Sequence, residues 1–236
     1  MSTDNASYYD AFAASYDEGR DHGYHELIDD QAAELVRHVG RGARCLEVGC
    51  GTGLIMARVA SFAASVQGID ISPGMLERAR ARGLEVREGS ATELPYADAS
   101  FDLVYSFKVL AHIEHIDRAL AEMARVTRRG GHVVFDSYNR DSLRYLIKRG
   151  WGPRRTSSSF DESAITTRFD TPAQALARAE RIGEVVDRAG IRVLTPHPLA
   201  LRLPLLAPLT RELEWTLMRS PLGRFGGFWV LTVRKS

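Results

Sequence analysis

Three glycines spaced two apart, Gly49, Gly51 and Gly53, close a short apolar run that begins at Arg44, and they constrain this chain more than any other feature. Glycine reaches positive φ at little cost and leaves no Cβ in the way of an approaching group. The run Arg44-Cys45-Leu46-Glu47-Val48 therefore reads as a strand that turns sharply into a helix. The first N–H groups of such a helix point at whatever occupies the turn. Seventeen residues after the last glycine, Asp70 ends a second apolar run. An acid about 20 residues on, at the tip of the next strand, can take both hydroxyls of a ribose. Together the two pieces predict a nucleoside site.

The rest of the chain alternates strand-like and helix-like runs. Strands are expected near 44–48, 65–70, 84–88, 101–107, 131–136, 191–195 and 228–234, and helices near 53–63, 73–82, 117–128, 140–149 and 172–189. Ser72-Pro73 and Thr171-Pro172 read as caps followed by a first-turn proline. A helix from Leu27 to Val39 precedes the first strand, and aromatics at 8, 9, 12 and 16 fall on one helical face near the N-terminus. This alternation predicts an α/β fold, a doubly wound, mostly parallel sheet with helices on both faces. At 236 residues the chain suits a single domain, with residues 1–40 as a helical cap. Residues 150–170 and 197–225 are irregular. The second of these carries Pro198, Pro204, Pro208 and Pro221 among leucines, which argues against one long helix. It is expected to be a lid inserted before the last strand, and both segments are expected to be substrate-side loops.

The glycine spacing is G-x-G-x-G behind Glu47, not the G-x-G-x-x-G of dinucleotide folds. With Gly68-Ile69-Asp70-Ile71-Ser72, Leu94-Pro95-Tyr96, Ser100-Phe101-Asp102-Leu103-Val104 and Gly130-Gly131 in that order, residues 8 to 137 resemble the class I S-adenosylmethionine-dependent methyltransferases. The branch resembled is the small-molecule one that includes ubiquinone- and menaquinone-type enzymes. The resemblance implies a Rossmann-like sheet of seven strands with the last antiparallel. It implies S-adenosyl-L-methionine as cofactor, S-adenosyl-L-homocysteine as product, and methyl transfer to oxygen or nitrogen, less readily carbon, of a small, partly apolar molecule.

The resemblance also assigns residues. Gly49, Cys50 and Gly51 would face the methionine half and the ribose, Glu47 would reach the cofactor's amino group or cap the glycine turn, Asp70 would hold the ribose hydroxyls, and Ile71 would pack on adenine. Many relatives carry Gly-Asp-Ala after the third strand; here Gly89-Ser90-Ala91-Thr92 stands there, so Ser90, Ala91 or Thr92 would meet adenine. Phe107 and Lys108 would border the methionine end. The segment Tyr9-Asp10 to Tyr16-Asp17 resembles the family's Y-D-x-x-A-x-x-Y-D stretch, which caps the cofactor, and puts Tyr16 and Tyr9 over the methyl group or in a packed aromatic face.

For the acceptor side, His112 in Leu110-Ala111-His112 is the first candidate for a base, because imidazole titrates near working pH. A histidine there can equally fix its own loop. Tyr138 and Asn139, just past the fifth strand, and His197 near the lid are expected substrate contacts. No metal is expected: the spacing of His112, Glu114 and His115 could suggest ligands, but two imidazoles three residues apart are common by chance.

Formal net charge is +1, so no global field argues for nucleic acid. The D/N-P-P-Y/F element of base-amino methyltransferases is replaced by Ser106-Phe107-Lys108-Val109. The polar, acidic N-terminus lacks a secretory signal pattern, and Cys45 and Cys50 are not read as a disulfide, so a reduced cytoplasm is expected. No acid occurs between Ser142 and Phe160, and Arg144, Lys148 and Arg155 are read as a solvated basic face or as a contact for phosphate or a membrane surface. Two alternatives stand beside the small-molecule enzyme: a non-catalytic cofactor-binding or scaffold protein, and a peripheral-membrane lipid methyltransferase.

Overall fold

A computed structural model describes residue 10, residue 13, residues 16–20, 23–151, 167–195, residue 201 and residues 206–236, apart from the side chains of 148, 150 and 151. The elements run α1 (Gly23–Gly40), β1 (Arg44–Val48), α2 (Leu54–Ala60), β2 (Ser65–Asp70), α3 (Pro73–Ala81), β3 (Glu85–Glu88), β4 (Phe101–Ser106), a 3-10 turn (Leu110–His112), α4 (Ile116–Val126), β5 (Thr127–Tyr138), α5 (Leu143–Trp151), α6 (Pro172–Glu180), β6 (Glu184–Ile191), α7 (Ala207–Met218), a second 3-10 turn (Pro221–Phe225) and β7 (Phe228–Arg234). The seven strands form one sheet in the order β3-β2-β1-β4-β5-β7-β6. Strands β1 to β5 pair in parallel, and β7 runs antiparallel to both β5 and β6. The doubly wound fold with an antiparallel last strand, expected from the resemblance, is therefore observed.

Each strand sends alternate side chains to opposite faces, and each face has its own core. Leu46, Val104, Val133 and Phe135 pack with Leu120 and Met123 of α4 and Ala175 and Ala179 of α6. Cys45, Leu103, Tyr105 and Val134 pack on the other face with Ile28, Leu35 and Val36 of α1, Val59 of α2 and Met218 of α7. The order in which successive strands are laid down reverses between β1 and β4, which themselves run parallel. In sheets of this type ligands settle outside the carboxyl ends of the strands at that reversal.

Local signals account for most boundaries. Ser72 caps α3 by accepting the Met75 N–H at 3.2 Å, with Pro73 following. Thr171 and Gln174 form a reciprocal capping box at the start of α6. Ser142 caps α5 by accepting the Tyr145 N–H at 3.2 Å, which starts that helix three residues later than the apolar pattern suggests.

Two expectations are corrected. The helix expected over 172–189 stops at Glu180, and residues 184–191 form a strand instead of 191–195. Tertiary packing decides this: Gly183 passes so close to β7 that a Cβ there would stand 2.3 Å from the Arg234 carbonyl oxygen. The second correction concerns the irregularity expected within 197–225. Residues 207–218 are a helix, with Pro208 in its first turn where it replaces no intrahelical donor. Buried Glu214 on α7 accepts the N–H groups of Val193, Leu194 and Thr195 at 2.8–2.9 Å and the Thr195 hydroxyl at 2.5 Å. Arg211 reaches Glu26 at 2.9 Å, and the Gln31 side-chain amide donates to the Glu214 carbonyl at 3.0 Å. Over these residues the segment is a clamp between α1 and the end of β6.

Candidate active site

The glycine turn divides its labour. Gly49, at φ 76°, must be bare because a Cβ would come within 2.4 Å of Val109 in the loop after β4. Gly53, at φ 82°, lets Leu84 pack at the start of α2, where a Cβ would meet it at 2.3 Å. Gly51, at φ 53°, has nothing within 4 Å of its Cβ position, so it is the glycine whose bare backbone faces open space. The amides of Gly49 and Cys50 both donate to the Ile69 carbonyl, which ties the turn to the end of β2. The Cys50 side chain points away, into a cluster with Met56 and Leu76, so only its backbone belongs to the turn. Burial pushes the Cys45 thiol up to about 12 and raises Cys50 as well.

Asp70 spans the gap between the two strand tips. Its carboxylate accepts the Gly51 N–H at 2.8 Å and the Ser72 N–H at 3.0 Å. Burial raises its pKa, and these backbone donors oppose the rise. A carboxylate accepting two amides keeps lone pairs for hydroxyl donors. Ile71 follows directly. On the far side of β2, Ser90 and Thr92 share a 2.8 Å hydroxyl contact, and Ser90 Oγ accepts the Thr92 N–H at 3.2 Å. The Ser90 hydroxyl is thus spent on its own turn, and Ala91 is buried in the core.

The N-terminal segment is strapped over this rim. Asp10 accepts the Ser72 hydroxyl and, at 3.0 Å, the Gly74 N–H. Asp17 accepts the Thr52 hydroxyl at 2.6 Å and pairs with Arg82 at 2.6 Å. Tyr16 packs with Ala13 and Met75, and Arg20 lies over its ring at 3.9 Å. Of the aromatic segment, Tyr16 is thus packed against its neighbours. Tyr9 lies outside the described residues.

Beneath α1 runs a row of buried polar groups at the ends of β1, β4 and β5. Glu47 accepts the Tyr105 hydroxyl at 3.2 Å, and burial raises its pKa well above the carboxylate range. It does not cap the glycine turn. Asp136, pushed up to about 7 by burial, accepts the Lys108 N–H at 2.9 Å. Lys108, a non-glycine residue at φ 62°, sends its ammonium to Asp29 of α1 at 2.6 Å. Phe107 sits in the core against the α1 face. Within the described residues, one oxygen each of Asp29 and Asp136 is buried without a hydrogen-bond partner. Such acceptors fit a cation, here the ammonium of an amino-acid moiety. The open Gly51 backbone, the Asp70 carboxylate and these acceptors are the donor set an adenosyl amino acid needs. Sequence reasoning missed Asp29 and Asp136, because neither lies in a motif.

On the acceptor side, His112 Nε2 lies 3.4 Å from the Tyr138 hydroxyl, and the rings meet edge-on at 5.5 Å. Phe169 and Phe228 pack against Tyr138 at 5.7 and 5.0 Å. The structure thus brings His112 and Tyr138 together. Asn139 is corrected: it is buried, its amide donates to the carbonyls of Arg224 and Gly226 at 2.7 and 3.0 Å, and its oxygen accepts the Asp141 N–H. It holds β5 to the turn before β7 and offers nothing to a ligand. Arg144 is corrected too. Its guanidinium turns inward, 5.5 Å from the Tyr138 ring and 5.8 Å from that of Phe228, not onto a solvated basic face. His197 and Arg155 lie outside the described residues. No cluster of potential metal ligands occurs among the described residues, and no described helix is long and apolar enough to cross a membrane.

Residues 46–135 match the family model described as a methyltransferase domain. The chain is 38% identical over 123 residues to a phosphatidylethanolamine N-methyltransferase of Cereibacter sphaeroides, covering 48% of this chain and 60% of that protein. It is 33% identical over 198 residues to a malonyl-[acyl-carrier protein] O-methyltransferase of Methylococcus capsulatus, covering 80% of this chain and 70% of that protein. Among solved structures, an S-adenosylmethionine-dependent methyltransferase from Thermotoga maritima superposes with a TM-score of 0.73 at 20% identity, covering 98% of this chain and 99% of that one. With the Methylococcus capsulatus relative, the matching methyltransferase-domain model and the sheet order in agreement, the chain belongs to the class I S-adenosylmethionine-dependent methyltransferases of small-molecule type.

Proposed function

We propose that this enzyme methylates a hydroxyl oxygen of a small ring-bearing molecule, with His112 as general base and Tyr138 orienting the acceptor. The observation that carries the reading is the 3.4 Å approach of His112 Nε2 to the Tyr138 hydroxyl inside an aromatic wall of Phe169 and Phe228. An apolar wall with one imidazole suits an aromatic hydroxyl, whose proton must leave before or during attack. Walls rich in carboxylates suit amines.

S-adenosylmethionine, when bound, supplies a methyl group on a sulfonium that departs as a neutral thioether. Asp70 would hold the ribose hydroxyls, the Gly51 backbone would border the ligand, and Asp29, Glu47 and Asp136 would surround the ammonium. Tyr16 would close the rim from the N-terminal strap, and Ile71 with the backbone of residues 90–92 would meet adenine. Lys108 would act through Asp29, by holding α1 over the pocket. At the acceptor, His112 takes the hydroxyl proton onto Nε2 while the oxygen forms its bond to the methyl carbon. The aromatic wall excludes water and holds the oxygen in line.

The test is S-adenosylhomocysteine formation with matched panels of phenols and anilines. Phenols are expected to turn over, and His112→Ala to lower kcat by roughly 10²–10⁴-fold with cofactor affinity intact. Turnover of anilines alone, or an indifferent His112→Ala, overturns the assignment.

A further inference from the structure

Carbonyl groups on both sides of His112 are gathered by one residue, Arg168, which lies outside every motif. Its backbone N–H donates to the Ala111 carbonyl at 2.9 Å, and its guanidinium donates to the carbonyls of Ile113 at 3.3 Å and Glu114 at 3.1 Å. The 3-10 turn Leu110–His112 is only three residues long, and a turn that short leaves its last carbonyls without helical donors. Arg168 supplies donors there, and the planar fork of a guanidinium can serve two neighbouring carbonyls at once.

The next two residues hold the other member of the pair. The Phe169 ring packs 5.7 Å from that of Tyr138, and the Asp170 N–H donates to the Tyr138 carbonyl at 2.9 Å. Asp170 is buried and itself fixed. Its carboxylate accepts Arg178 at 2.7 Å, and its carbonyl accepts the Arg140 N–H at 2.9 Å. Three consecutive residues therefore reach both sides of the 3.4 Å approach between His112 Nε2 and the Tyr138 hydroxyl. His112 stands on a turn after β4 and Tyr138 ends β5, so the spacing of their side chains depends on how that turn is tied down.

We infer that Arg168 is a positioning residue for methyl transfer, its guanidinium fixing the His112 turn so that the imidazole stands against the Tyr138 hydroxyl. The inference deepens the proposed function and rests on it for the role of His112. Arg168 acts through His112, not on the reacting atoms. Its guanidinium also borders a surface cleft of about 410 Å³, shared with Glu114, His115 and Arg178, through which a small cation can enter from solution.

The test replaces Arg168 with alanine, glutamine or lysine in the full chain, which keeps the backbone bond to Ala111. With S-adenosylhomocysteine bound, nuclear Overhauser contacts between the ring protons of His112 and Tyr138 are expected in the wild type. They are expected to be lost in Arg168→Ala, with S-adenosylhomocysteine affinity unchanged. With the fastest phenol of the panel above, kcat of Arg168→Ala is expected to fall by about 10- to 100-fold at little change in KM, the scale of a small misplacement. Arg168→Lys is expected to restore part of that loss, as is guanidinium chloride at millimolar, non-denaturing concentration. In the His112→Ala background the same change is expected to cost less than about 3-fold, because the residue it positions is gone. Arg168→Gln carries the same readings should Arg168→Ala fail to fold. Undiminished ring contacts overturn the inference, as does an equal loss of kcat with and without His112, which marks a merely structural contact. A His112→Ala variant with full kcat would count against the proposed function alone, since the ring contacts still decide what Arg168 does.

Discussion

The carboxylate of Asp70 and the amide of Gly51, 19 residues apart, meet in a 2.8 Å hydrogen bond that closes the gap between the tips of β1 and β2. The acid expected to hold the ribose is therefore also a strut for the one glycine with open space before it. A single side chain thus ties the expected ribose contact to the geometry of the turn.

Replacing Asp70 with alanine removes both roles. Affinity for S-adenosylhomocysteine is expected to fall by about 2–3 kcal/mol, the scale of a charge-assisted hydrogen-bonded contact. Isothermal titration calorimetry reads this directly, and undiminished affinity would remove Asp70 from the ribose site.

The Lys108–Asp29 pair joins the loop after β4 to α1 at 2.6 Å, with Asp29 fully buried. Lys108→Met leaves a buried carboxylate alone and is expected to cost about 3–5 kcal/mol in urea unfolding. The double variant Lys108→Met, Asp29→Leu should recover much of that loss. The charge of Asp29 raises the Lys108 pKa against the opposing effect of burial. The stability Lys108 supplies is accordingly whole below its unfolded value of about 10.4 and is lost as pH rises through the folded one. A single variant no less stable than the double would show that the pair is not a unit.

Asp136 carries the opposite liability. Burial raises it from 3.8 to about 7, so the folded state holds its proton more tightly than the unfolded chain does. That contribution is whole below about pH 4, falls as pH rises, and is gone above 7. Asp136→Asn keeps an acceptor for the Lys108 N–H without the buried charge. It should exceed the wild type in stability at pH 8, and the margin should shrink on acidification. A margin independent of pH in thermal or denaturant unfolding would contradict the burial argument.

Glu214 holds three amides and a hydroxyl at the end of β6. Glutamine replaces one acceptor oxygen with a donor, and alanine leaves every N–H of that turn without its partner. We expect losses on the order of 2 kcal/mol for Glu214→Gln and more for Glu214→Ala. Denaturant midpoints at unchanged slope would measure them. A neutral effect of Glu214→Ala would mean that the turn does not depend on α7.

The part of this molecule that was legible in the sequence is the part built from local chemistry. The G-x-G-x-G turn, Asp70, the Ser72-Pro73 and Thr171-Pro172 caps and the alternation of elements each carry their meaning within a few residues, because turn geometry, capping and periodicity are short-range effects. From these came the doubly wound sheet and the cofactor-side half of the site. His112 and Tyr138 were each visible too, yet not that they meet, 26 residues apart in the chain.

What the tertiary structure alone decided is which residues meet across the chain. Glycines 49, 51 and 53 look alike in sequence, and only packing assigns the first to Val109, the third to Leu84 and the second to open space. Residues 184–191 became a strand because β7 offered them an antiparallel partner. The helix over 207–218 is tied to the end of β6 because Glu214 found three N–H groups some twenty residues upstream. Arg144 left the expected basic face for an aromatic one. Such contacts depend on sheet order and chain reversal, quantities that no window of neighbouring residues contains.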